Sequence, residues 1–215
     1  MLFRSRVAQL FHAQGQAAAI SSTLSEETVL RYRRQFVPSI PRQNPGLPPE
    51  DQILLIARRI ETAGGKIVQM ARTEMQPTQR GTRLYIVQFS EAITDATRAL
   101  LQRIGAVEHG YVPNQALLLE LTPAQSESLV QAEAVKAVVE VDAQDKVQPF
   151  LANLATRETG SVRAVIEPLC AADSRAIAAA VSAAGGTIEA ADRLIRAVVP
   201  LSAGQTLLAD RKSVV

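Results

Sequence analysis

The chain has 215 residues, of which 47% are apolar and 20% charged. That is enough hydrophobic material for one or two packed domains and too much for a disordered polypeptide. Its 23 basic and 21 acidic residues leave a net charge of +2, which provides no electrostatic footprint for nucleic acid, and its single cysteine, Cys170, excludes an internal disulfide and any thiolate metal cluster.

Aromatic residues make up only 4%, with no Trp, so the core must be built from Leu, Ile, Val and Ala. No apolar run approaches the ~18 residues of a membrane-crossing helix. No signal peptide is expected in the first residues given, because Gln9, His12 and Gln14 interrupt the run after Arg4 and Arg6. Both ends, MLFRS and DRKSVV, are what a common sequencing adapter encodes when read through. The expectation is that Met1–Ser5 and Asp210–Val215 are not native and that the natural chain continues at both ends.

Residues 1–49 read as a helical and linker segment. Residues 24–34 predict a short helix with Glu26 and Glu27 in its first turn, which suits the helix dipole. Arg31, Arg33 and Arg34 on it read as a solvated face. Pro41, Pro45, Gly46, Pro48 and Pro49 then mark a linker or boundary. In residues 50–81, Ile53, Leu54, Ile56, Ala57 and Ile60 predict a second helix, ended by Gly64-Gly65 and followed by a possible strand at 66–70.

Residues 82–150 are the most structured stretch. Leu84–Phe89 reads as a strand. Thr94 caps a helix over Asp95–Ile104, whose Ala96, Leu100, Leu101 and Ile104 share a face, and Gly105 ends it. A strand at 107–111 turns through Pro113-Asn114 into a strand at 116–121. Thr122-Pro123-Ala124-Gln125 combines a cap, a proline at the first helical position and a capping-box partner. The helix covers residues 123–132, and Val135–Val141 is the last strand.

The order is βαββαβ. Right-handed crossovers then put both helices on one face of a four-stranded antiparallel sheet. The other face has no helix to cover it, so it either stays polar or meets a partner. After a linker at 150–160, residues 161–209 repeat the scheme more briefly. A strand at 162–167, a helix at 173–184, Gly185-Gly186, and strands at 187–190 and 194–199 follow in turn. The expected fold class is α+β, with two ferredoxin-like βαββαβ units, the second lacking its last strand.

Tyr85-Ile86-Val87-Gln88-Phe89, Gly105, Gly110-Tyr111-Val112-Pro113-Asn114, the Leu-rich 117–121 and Asp145-Lys146 resemble the N-terminal propeptide domains of bacterial subtilases, particularly the fervidolysin type with tandem units. The likeness covers residues 82–150 well and 161–209 more loosely. It implies an intramolecular chaperone and temporary inhibitor, docking its open sheet face on a subtilisin-like catalytic domain downstream in the same polypeptide. The parent protein would be secreted or extracytoplasmic. Tyr85, Val87, Phe89, His109 and Tyr111 are the candidate partner-binding residues, with core or sheet-face packing the favoured role for Tyr85 and Phe89 and a surface or turn position the favoured role for His109.

The chain carries none of the Asp-Thr-Gly, His-Gly-Thr or Gly-Thr-Ser settings a subtilase triad needs. Its two histidines, His12 and His109, have no nominated nucleophile. No phosphate-binding glycine loop opens a helix, and no metal-ligand spacing occurs. No enzyme activity, cofactor, metal, nucleic acid or membrane partner is therefore expected of this stretch. Two alternatives to the propeptide reading remain at this point: a small-molecule-sensing regulatory module of paired βαββαβ units, and a non-enzymatic interaction scaffold.

Overall fold

The computed structural model describes residues 23–35, 44–55, 58–64, 66–69, 81–169, 171–203 and 213–214. It is an α+β structure that divides into two compact units. One lies within residues 39–145, and the other joins the N-terminal helix to residues 146–215.

That helix, α1 (Glu26–Gln35), has Glu26 and Glu27 in its first turn and Arg33 and Arg34 in its last, the charge order the helix dipole favours. The described residues of the 50–63 stretch do not form the expected helix, and Ile56 and Ala57 lie outside the described residues. A 3-10 turn at Pro49–Asp51 leads into β1 (Gln52–Leu54), which pairs antiparallel with β2 (Arg59–Glu61). Ile53 faces Ile60 across the pair. The apolar spacing at 53, 56 and 60 fits a helix, but short apolar runs do not distinguish the two states. Here β-branched residues and the side chain of Gln52 favour the hairpin. That side chain is fully buried and binds the preceding loop, with Oε1 accepting from the Asn44 amide at 2.8 Å and Nε2 donating to the Leu47 carbonyl at 2.9 Å.

β3 (Ile67–Gln69) forms as expected and runs parallel to a later strand. Next come β4 (Arg83–Phe89), α2 (Asp95–Arg103), β5 (Val107–Val112), β6 (Ala116–Leu121), α3 (Pro123–Gln131) and β7 (Val135–Glu140). Both anticipated caps are present. Thr94 and Thr122 each accept from the amide three residues on, and Thr97 and Gln125 return the bond. The β5–β6 turn holds Asn114 and Gln115 at positive φ, a conformation that asparagine tolerates better than most residues. The sheet order is β3-β7-β4-β6-β5, antiparallel apart from β3–β7.

One face of this sheet meets the helices. Tyr85, Val87 and Phe89 of β4, Leu117, Leu119 and Leu121 of β6, and Val135 and Val138 of β7 pack with Leu101 of α2 and Leu129 of α3. Fully burying each such side chain contributes about 1.5–3 kcal/mol.

The second unit opens with α4 (Pro149–Arg157), where the sequence reading had a linker. Proline at the first helical position presets φ. Phe150 and Leu154 are buried with Val29 and Tyr32 of α1, against Val162 and Leu201. β8 (Ser161–Pro168), α5 (Ser174–Ala183), β9 (Thr187–Ala191) and β10 (Ile195–Pro200) follow the anticipated order. The expected absence of a last strand needs correction. β11 (Ser213–Val214) pairs antiparallel with β8, giving the order β11-β8-β10-β9. Two residues therefore occupy the place beside β8 that β7 holds beside β4, and they satisfy part of an otherwise open edge.

α5 packs on Ala164, Ile166, Ile195, Ala197 and Val199 through Ile177 and Val181. Gly186 makes this approach possible, because a Cβ there would stand 2.7 Å from Val181 Cγ1 and 2.9 Å from the Val198 carbonyl oxygen. Gly186→Ala is expected to cost about 1–3 kcal/mol, read as faster hydrogen exchange in the β8–β10 ladder. An unchanged ladder would contradict this packing.

Candidate functional site

The five residues singled out in the sequence do not form one surface. Tyr85, Val87 and Phe89 are at most 3% exposed and lie in the layer between sheet and helices. Alternation along β4 sends these odd positions toward α2 and α3, so they cannot contact a partner across the sheet. Tyr111 lies on the outermost strand of its sheet and is 45% exposed, as is Val107 at 46%.

His109 sits where the β5–β6 register shifts between Glu108 and Gly110. A bulge of this kind re-aims a side chain. Its Nε2 lies 3.2 Å from Glu120 Oε2, and the other oxygen of that carboxylate accepts from the Thr82 hydroxyl at 2.5 Å. The arrangement orients the imidazole, but the Thr82 hydroxyl spends its proton on Glu120 and not on His109. It is therefore not a nucleophile–base pair. His12 and Cys170 lie outside the described residues. Among the described residues, no group of three or more His, Cys, Asp or Glu is placed to hold a metal ion, and no helix is long and apolar enough to cross a membrane.

The expected open face of the first sheet is closed. Leu84, Ile86, Gln88, Ala116, Ala137 and Val139 alternate with the helix-facing set, and all are at most 3% exposed. At the centre is Gln88, flanked in register by Ala116 and Ala137. The small neighbours leave room for a second segment to approach, and Glu50, Gln52 and Thr62 do so. The Thr62 hydroxyl donates to Gln88 Oε1 at 2.6 Å. Gln88 Nε2 donates to the Glu50 carbonyl at 3.0 Å and to the Asn114 carbonyl at 2.9 Å. Asn114 Nδ2 in turn donates to the Gln52 carbonyl at 2.8 Å.

Two ion pairs hold the flanks of the same segment. Lys136 pairs with Asp51 and donates to the Glu50 carbonyl at 2.6 Å. Arg58 binds Asp145 through two parallel bonds of 2.8 and 2.7 Å. That contact raises the Arg58 guanidinium above its ordinary pKa, against the opposing effect of burial. Asp145 also accepts from the Asp142 amide at 2.9 Å. Sequence reading missed Gln88, although a lone glutamine in an apolar strand was a visible signal. The segment that meets it was misread as a helix, so its partners had no place.

The corresponding face of the second sheet has a different character. Arg163 and Arg196 point away from the α5 core, as does Glu189, and Arg163 Nε donates to Glu189 Oε1 at 2.9 Å. All three side chains are substantially accessible, and Arg196 is exposed.

A family model described as "Domain of unknown function (DUF8729)" matches residues 47–142, a stretch that runs from the loop before β1 to just past β7. No match was found among the curated proteins or among the solved structures.

Replacing Gln88 by Leu strands the Asn114 carbonyl and the Thr62 hydroxyl and removes one of the two donors to the Glu50 carbonyl, which Lys136 still meets, and is expected to destabilise the first unit by about 2 kcal/mol. Thr62→Val in the same chain should recover part of that loss, since both sides of one bond are then apolar. A urea-unfolding double-mutant cycle measures the coupling, and strictly additive effects would contradict the bond.

Proposed function

We propose that the chain is a non-catalytic tandem of propeptide-like units that assists the folding of a subtilisin-like serine peptidase domain and temporarily inhibits it. The observation that carries this reading is local. The residues that resemble subtilase propeptides coincide with the run β4-α2-β5-β6-α3-β7, with both helices against one sheet face. The order β8-α5-β9-β10 offers a shorter second instance. We read each as a ferredoxin-like unit, and the parent protein as secreted or extracytoplasmic.

Docking by the first unit's sheet face is incompatible with its burial, so the contact is assigned to the second. Arg163, Glu189 and Arg196 provide an accessible polar face away from α5. Charges on such a face set orientation and partner choice more than raw affinity. Its occupant would be the surface of the peptidase domain, which the resemblance places downstream in the same polypeptide.

The full chain should inhibit a bacterial subtilisin-like catalytic domain in a peptide-hydrolysis assay. Arg163→Glu with Arg196→Glu should weaken that inhibition about tenfold or more, a change of about 1.4 kcal/mol, while Tyr111→Ala leaves it unaltered. Absence of inhibition by the unsubstituted chain across a panel of such domains would reject the reading. Equal loss with Tyr111→Ala would reject the assigned face.

A further inference from the structure

We draw no further inference here: the strongest candidate, the outer edge of β5 with the exposed side chains of Val107 and Tyr111, is interrupted by the register shift at His109, and nothing in the structure shows what strand would cover it.

Discussion

Gln88 places a primary amide at the centre of an otherwise aliphatic sheet face, fully removed from solvent. Such a group left without partners would cost several kcal/mol, more than one ordinary core contact returns. The first unit meets that requirement with three bonds, and the requirement explains much of its architecture. Thr62 must end β2 where it does, Glu50 must present its carbonyl, and the β5–β6 turn must carry Asn114 in a conformation that aims both its carbonyl and its side chain inward. The alanines beside Gln88 are the matching steric condition. The hairpin is therefore tied to the sheet at a point where polar satisfaction and shape agree.

The two units share an arrangement of strands around a central pair, β4–β6 in one and β8–β10 in the other, and put a helix on one face of it. They differ in the other face. β4 reads Leu84, Tyr85, Ile86, Val87 without a polar break, the pattern of a strand buried on both sides. β8 alternates Arg163, Val165 and Glu167 with Ala164 and Ile166, the pattern of a strand with one wet side. The covered face in the first unit and the polar face in the second follow from those two short runs.

Much of this was legible before any coordinates. Thr94 with Thr97, and Thr122 with Pro123 and Gln125, set helix starts through bonds within four residues. Gly105 and Gly185 stop helices because their left-handed backbone excludes most other residues. Local rules were weaker where the deciding partner was distant. For Tyr85 and Phe89 the sequence favours packing over partner contact, although aromatics on a strand serve either role, and the position of α2 and α3 selects which core they enter. α4 reads as a linker in sequence, although Phe150 and Leu154 lie one turn apart, since α1, which buries them, is more than a hundred residues earlier.

What the chain determined by itself was the identity and order of the capped helices and of the principal strands, because their signals are short-range in both chemistry and sequence. What only tertiary structure decided was which segment covers the second face of the first sheet, and that Gln52–Leu54 and Arg59–Glu61 pair as strands. Ile53 and Ile60 suit a helix or a hairpin about equally in isolation. The bonds that tip the balance run from Thr62 and Glu50 to Gln88, some 26 and 38 positions away. They come into being only once the sheet exists to present that amide.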